Sequence, residues 1–307
     1  MDFVSKRPWF FLISLVVLVP GIVFLVIAPG VKPGIDFTGG SATTIEFSEP
    51  IEQDNLRTEL AAFGHPDAII QRIDEAAFFV RTKELSGAIE LTDPLGEAFA
   101  PIIVDARAFD LVSPVVAFET VRNALWAVLA AAIGIFLYVW WAFRNVPSPF
   151  RYGTAAIVAL LHDAMVVLGI FAILGELFEV EVNTMFLIAL LTVIGYSVND
   201  TIVVFDRLRE NILLNPNRGL EEIANLSISQ TLGRSLNTSL TLLFTLLALL
   251  LFGGTTIRGF LWVLAIGVVA GTYSSIAIAT QVLIVWETRS FGRFFSRSRA
   301  VEQVEAG

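Results

Sequence analysis

The 307-residue chain contains no cysteine. That excludes disulfide scaffolds, thiol catalysis, iron–sulfur clusters and thiolate zinc sites. Histidine is nearly absent as well: His65 and His162 are the only two, too few for a His-built metal site, so no metal is expected. No Lys follows a Gly anywhere, so the phosphate-cradling P-loop pattern is missing; neither nucleotide hydrolysis nor any other cofactor chemistry is expected. Charge is scarce: Asp, Glu, Lys and Arg make up 16% of the residues, against about 25% in ordinary soluble proteins. The balance of that charge is −9, which argues against nucleic acid as a partner. What the chain does have is apolar surface, with 55% hydrophobic residues, 25 of them Phe, and a mean hydropathy of +0.75. Such a chain cannot cover its apolar atoms with polar ones, so much of it must face a lipid bilayer.

Apolar runs long enough to cross a membrane occur six times, over residues 9–28, 124–143, 152–174, 182–205, 236–252 and 260–286. The first follows Lys6 and Arg7, as a secretory signal would, but it is too long for a signal core. Ile27-Ala28-Pro29-Gly30 also offers no cleavage site, and a retained helix is expected. Basic residues set the orientation. Lys6, Arg7, Arg144, Arg151, Arg207, Arg209 and Arg218 flank the first run or lie in the even-numbered loops, and Arg289, Arg293, Arg297 and Arg299 fill the tail. The connection between runs three and four carries Glu176, Glu179 and Glu181 and no basic residue. Both termini are therefore expected on the cytoplasmic side of the membrane.

The long stretch between runs one and two then lies outside. Residues 30–120 hold 16 acidic and six basic side chains. Alternation predicts strands over 43–47, 68–73, 77–82 and 102–112, with helices from Pro50 to about Phe63 and over 85–99. The order β-α-β-β-α-β predicts a ferredoxin-like split βαβ unit. The expected architecture is an α-helical bundle of six transmembrane helices with one external α+β domain inserted between helices 1 and 2. Its parts are 1–29 (amino terminus and first helix), 30–120 (external domain), 121–287 (helices 2–6) and 288–307, a basic-then-acidic cytoplasmic tail. Within the third part, 206–233 is polar, turns at Asn215-Pro216-Asn217-Arg218-Gly219, and is expected to form an amphipathic helix on the inner membrane surface.

Ionisable side chains inside a membrane are costly and mark function by default. The candidates are Asp163 with His162 beside it in run three, Asp200 in run four, and Arg234 before run five. Asn217, at the centre of the turn, is 17 residues from both Asp200 and Arg234, so a hairpin about it would set the two at one depth. Paired charges relieve each other's desolvation, and Thr238 lies one turn beyond Arg234. A static ion pair that holds the bundle together is the plain alternative. His162, Asp163 and Asn199 form a possible secondary polar site, with helix packing as the competing explanation. Gly267-Val268-Val269-Ala270-Gly271 is a GxxxG match, read as a close-packing face.

Val193-Ile194-Gly195-Tyr196-Ser197-Val198-Asn199-Asp200-Thr201-Ile202-Val203-Val204-Phe205-Asp206-Arg207 resembles the fourth-helix signature of the SecF family, the smaller membrane subunits of the bacterial SecD–SecF complex of protein secretion. Gly34-Ile35-Asp36-Phe37-Thr38-Gly39-Gly40 is similar to that family's first motif. Ala159-Leu160-Leu161-His162-Asp163, Gln230-Thr231-Leu232-Gly233-Arg234-Ser235 and Gly271-Thr272-Tyr273-Ser274-Ser275 match in the same order. One departure is Ser113-Pro114-Val115-Val116-Ala117, where the family favours Gly-Pro-x-Val-Gly.

The resemblance implies membership of the RND superfamily of proton-coupled transporters, with six helices forming half of a pseudo-symmetric unit and a SecD-like subunit supplying the rest. It further implies the SecYEG channel and a translocating preprotein as partners, and coupling of the proton motive force to late-stage protein export. Asp200, Arg234 and Thr238 would form the proton pathway, and Asp36, Gly39 and Gly40 the junction between the first helix and the external domain. No enzymatic activity is expected. The competing functions are a small-molecule RND-type exporter half, a passive translocon scaffold, and an intramembrane aspartyl protease built on Asp163 and Asp200.

Overall fold

The computed structural model describes residues 2–26, 30–83, 85–254 and 257–288. The expected basic-then-acidic tail and the Ile27-Ala28-Pro29 junction lie outside them. The chain divides into two compact units, one of residues 32–126 with 177–184 and one made of the rest.

The smaller unit starts with β1 (Lys32–Pro33) and a single-turn helix α2 (Ile35–Thr38), and α1 (Arg7–Val26) precedes both in the chain. Then follow β2 (Gly40–Phe47), α3 (Gln53–Ala62), β3 (Ile69–Asp74), β4 (Ala77–Thr82), α4 (Ile89–Ala98) and β5 (Val104–Val112). The sheet order is β3-β4-β2-β5 and every neighbouring pair is antiparallel. This is the split βαβ arrangement expected from the sequence: β2 and β3 flank β4, which runs against both. One sheet face supplies Ile45, Phe47, Phe78 and Val80, which bury against Leu56 and Leu60 of α3 and Leu91 and Leu95 of α4. The two leucines of each helix lie four residues apart, on one face. All eight side chains are buried for the same reason: strand period two meets helix period 3.6 across a single layer.

The larger unit is built from helices long and apolar enough to cross a membrane, six in number among the described residues. They are α1, α5 (Pro114–Ala142), α6 (Pro149–Phe178), α7 (Thr184–Leu214), α8 (Leu220–Phe252) and a sixth helix running from Arg258 to Glu287. The last comprises α9 (Arg258–Ser274), a π-helical turn (Ser275–Ala279) and α10 (Thr280–Glu287). Helices α6, α7 and the α9–α10 helix supply the interior, whereas α1, α5 and α8 leave apolar side chains such as Val16, Trp140, Trp141 and Phe244 exposed. An exposed apolar face of that kind belongs against lipid or another subunit.

The expected amphipathic surface helix does not form. Residues 206–214 continue α7, and from Leu220 α8 runs without interruption to Phe252. No breaker follows Gly219 except the lone Gly233, and Ile223, Ala224, Ser227 and Ile228 are buried against protein. Asn211 of α7 donates its amide to Ser227 Oγ at 2.9 Å, so this segment packs on its neighbour helix. The turn at residues 215–219 is where the sequence places it.

Candidate functional site

Among the described residues, the buried carboxyl groups of the larger unit lie at two sites. The first surrounds Asp200, which the helical register of α7 turns inward. It is 4% exposed, and its Oδ2 has no hydrogen-bond partner. Ser235 and Arg234, successive residues of α8, are the polar groups close enough to act on its charge, and Ser235 Oγ is also buried without a partner. Arg234 itself is exposed on the chain's surface, and no ion pair joins it to Asp200 among the described residues. The guanidinium lines an open cleft of about 650 Å³ together with Asp206, Arg207, Glu210 and Gln230. Thr238 is exposed as well, and its hydroxyl donates back to the Arg234 carbonyl at 2.9 Å. The hairpin therefore brings Asp200 and the Arg234 region of α8 together, but as neighbours and not as the contact ion pair the spacing predicts.

The second site is fully formed inside this chain. Asp163 is 0% exposed and His162 8% exposed. Asp163 Oδ1 lies 3.0 Å from His162 Nδ1. Its Oδ2 accepts from Ser197 Oγ of α7 at 2.5 Å and from Ser274 Oγ of α9 at 2.7 Å. His162 Nε2 lies 3.1 Å from Ser14 Oγ of α1, and Ser14 in turn reaches Tyr273 OH at 3.2 Å. Asn199 does not belong here, because it is exposed: two residues past Ser197 it points to the opposite side of α7. With both oxygens of Asp163 occupied by His162 and two serines, Asp163 and Asp200 share no hydrogen bond, so the carboxylate dyad of an aspartyl protease is not assembled.

Glycines allow these helices to approach. A Cβ on Gly271 would sit 2.8 Å from Ser197 Cβ, and one on Gly267 would collide with the Val193 side chain, so the GxxxG face is where α9 meets α7. Gly21 of α1 and Gly169 of α6 meet the same way, a Cβ on Gly21 falling 2.8 Å from Gly169 Cα. Nothing in the sequence marks that second crossing; single glycines at unrelated positions carry no spacing signal.

In the smaller unit, the Asp36-Phe37-Thr38-Gly39-Gly40 segment ties three strands of chain together. The Gly34 amide donates to the Val182 carbonyl at 2.7 Å, beside the parallel pair that β1 makes with β6 (Glu181–Val182). Asp36 Oδ2 accepts from the Thr184 amide at 2.7 Å, which places a carboxylate at the amino terminus of α7, where free amides and the helix dipole favour it. Gly39 and Gly40 have φ of 73° and 112°, which side-chain-bearing residues rarely adopt. A Cβ on Gly40 would also fall 2.8 Å from the Thr82 carbonyl oxygen. Arg81 donates to the Pro33 carbonyl at 2.6 Å and pairs with Glu181 at 3.1 Å. Burial holds the Glu181 carboxyl above its ordinary range, and Arg81 opposes that shift. Where the motif family favours glycine, Ser113 stands before Pro114, the first residue of α5, and its Oγ accepts from the Val116 amide at 3.4 Å, a helix cap in place of a flexible residue.

Six membrane-length helices that bury a carboxylate, with a split βαβ unit between the first and second in the chain, define a multi-pass membrane protein with ionisable groups inside its bundle. The chain belongs to the SecD/SecF family of protein export membrane proteins. Residues 96–289 match the family described as "Protein export membrane protein SecD/SecF, C-terminal", and residues 24–51 match the "SecD/SecF GG Motif". It is 43% identical to the protein translocase subunit SecF of Thermobaculum terrenum, over 97% of this chain and 98% of that one. It is 34% identical to the protein translocase subunit SecDF of Bacillus subtilis, over 94% of this chain but only 38% of that longer protein. Among solved structures it is similar to SecDF of Thermus thermophilus, a translocon-associated membrane protein, with a TM-score of 0.83 and 34% identity. That match covers 94% of this chain and 39% of the SecDF chain, so the chain spans about two fifths of the length of that protein.

Proposed function

We propose that the chain is an accessory subunit of the Sec preprotein translocase that works with a SecD-like partner and couples proton entry to late-stage export across the bacterial inner membrane. The observation that carries the coupling is Asp200: a nearly inaccessible carboxyl group in a membrane helix, with one oxygen lacking any hydrogen-bond partner. An unsatisfied buried acceptor is costly, and a bound proton relieves that cost by converting an ion to a neutral acid. Arg234 and Thr238 lie on the exposed face of α8 beside it. An uncompensated guanidinium facing lipid is unfavourable, so this face is read as the one a second six-helix subunit covers, completing the pathway. The fused SecD and SecF halves of relatives such as SecDF of Bacillus subtilis supply the model for that partner.

Orientation follows from charge. Arg7 pairs with Glu221 at 3.3 Å and Arg151 with Glu287 at 2.8 Å, which collects the starts of α1, α6 and α8 and the end of α10 at one end of the bundle. That end, rich in arginine, is assigned to the cytoplasm, and residues 30–120 to the outer side, where the translocating preprotein emerges from SecYEG. The gradient supplies about 2.3 kcal/mol per charge per 100 mV, and Asp36, Gly39 and Gly40 form the junction through which the bundle acts on the outer domain. The test is preprotein export into membrane vesicles holding the chain and its partner, with and without an ion gradient. Asp200→Asn should assemble yet lose the gradient-dependent increment. Full retention of that increment would refute the coupling.

A further inference from the structure

The hydrogen bonds around His162 fix where its protons are, and the consequence concerns a group that the export reading does not use. Tyr273 OH lies 2.5 Å from the Phe10 carbonyl oxygen. A carbonyl can only accept, so the single phenolic proton is committed to Phe10. Ser14 Oγ, 3.2 Å from the same phenol oxygen, must therefore give its own proton to Tyr273. Having donated its proton, Ser14 can only accept from His162 Nε2, 3.1 Å away, so Nε2 bears hydrogen. On the far side of the ring, Nδ1 and Asp163 Oδ1 are 3.0 Å apart. With Nε2 protonated, a neutral imidazole would present a bare lone pair at Nδ1 to a carboxylate oxygen, and that contact repels. Nothing else can supply the missing proton. Ser197 and Ser274 both donate to the other carboxylate oxygen, Oδ2.

We infer that the buried His162–Asp163 pair is a proton-binding site of its own, separate from Asp200, and holds one proton between Nδ1 and Oδ1. With that proton the pair is neutral as a unit, either imidazolium with carboxylate or imidazole with carboxylic acid. Its release as H⁺ leaves neutral imidazole and a carboxylate, net −1. The lone-pair clash at Nδ1 is then relieved by the other tautomer: Nδ1 donates to Asp163 and Nε2 becomes an acceptor. Ser14 must turn its one proton to His162 and gives up its bond to Tyr273. The proton is therefore read out as a bond between α1 and α9. Within the bundle Ser14 and Gly21 are the only buried residues of α1, so the loss falls on a helix with few other anchors. The titratable groups nearest the pair on the elements around it are Tyr273 on α9 and Asp200, three residues past Ser197 on α7; α1 contributes none at this level.

The test reads nitrogen chemistry and not export, so it stands or falls independently of Asp200. The full chain is labelled with ¹⁵N-histidine, assembled with its SecD-like subunit in lipid nanodiscs, and compared with His162→Gln to assign the His162 signals. A protonated Nε2 is expected at the low end of the pH range in which the complex is intact. As pH rises, a single step should remove the shared proton and move the remaining one to Nδ1. A neutral imidazole with bare Nε2 at every pH would overturn the inference, as would a pH-invariant spectrum. Asp163→Asn provides the second arm. Its amide NH₂ can donate to Nδ1 while its oxygen accepts from Ser197 and Ser274, so assembly should persist with Nε2 protonated and the pH step abolished. Persistence of the step in Asp163→Asn would place the proton elsewhere and refute the site.

Discussion

At the scale of single residues, the larger unit holds two buried carboxylates in opposite circumstances. Asp163 is surrounded by donors from three helices, whereas Asp200 keeps an oxygen without a partner. Substitution should therefore act differently at the two. Asp200→Asn replaces a carboxyl group that keeps one oxygen unpartnered, so expression and co-purification with the partner should match the parent while gradient-stimulated export falls to the level seen without a gradient. Because Arg234 forms no ion pair with Asp200 in the single chain, Arg234→Met should not strand a buried pair, an effect that costs about 3–5 kcal/mol where it occurs. The double variant Asp200→Asn with Arg234→Met should then assemble normally and remain inactive; recovery of gradient-driven export by the double variant would make the two an architectural pair. Glu181 allows a pH prediction in the smaller unit. Its carboxyl is raised in the folded state by burial, so its contribution is favourable at acid pH and is lost as pH rises through its folded value. The parent should lose thermal stability relative to Glu181→Gln as pH increases above the ordinary glutamate value of about 4.3. A difference between the two that does not vary with pH would show that burial of this carboxyl is not the controlling factor.

At the scale of elements, packing within the bundle depends on backbones that touch. Gly21 and Gly169 are each other's nearest neighbours, and a Cβ on either meets the other's Cα below 3.0 Å. Gly169→Leu should force α1 off α6, and overpacking of this kind costs roughly 1–3 kcal/mol or more. The expected outcome is a lower unfolding temperature in detergent with the smaller unit's strands intact, and an unchanged melting profile would argue that α1 is not docked there. Gly40→Ala meets two obstacles together, a φ of 112° and the Thr82 carbonyl oxygen 2.8 Å away. Strain of this sort costs on the order of 1–3 kcal/mol, and it falls on β2, the strand that pairs with both β4 and β5. The π-helical turn at Ser275–Ala279 follows directly on Ser274, a donor to Asp163, and such turns are frequent at functional sites.

At the scale of the whole molecule, α1, α5 and α8 present exposed apolar faces and Arg234 points outward, as the proposed pairing with a SecD-like subunit requires. The chain produced alone should be degraded or aggregate, and it should be stabilised by co-production with a SecD-like subunit. A stable chain that is fully active by itself would contradict this. Topology can be checked with single cysteines, since the protein has none of its own. A label at Asn217 should be reached only from the cytoplasm, and one at Asp93 only from the opposite side. Reversal at either position would overturn the assigned orientation.

Composition and period were sufficient to read six apolar helices and a β-α-β-β-α-β unit, because burial on one face of a strand or helix leaves a repeating mark on the chain, and lipid burial leaves a continuous one. The order β3-β4-β2-β5 could be expected from that succession alone. Charge in an apolar run likewise singles out Asp163, Asp200 and Arg234 without any coordinates. The partners of those charges were not legible. Ser14, Ser197 and Ser274 converge on His162 and Asp163 from helices far apart in the chain, and a serine in a membrane helix looks the same whether it bonds its own backbone or another helix. Asp36 and Thr184 are separated by 148 positions, and no local pattern records such a contact. The fusion of residues 220–232 into α8 was decided by packing on α7, which turned an amphipathic pattern toward protein instead of the membrane surface. Periodicity reports which face of an element is buried; only the tertiary structure determines what that face meets.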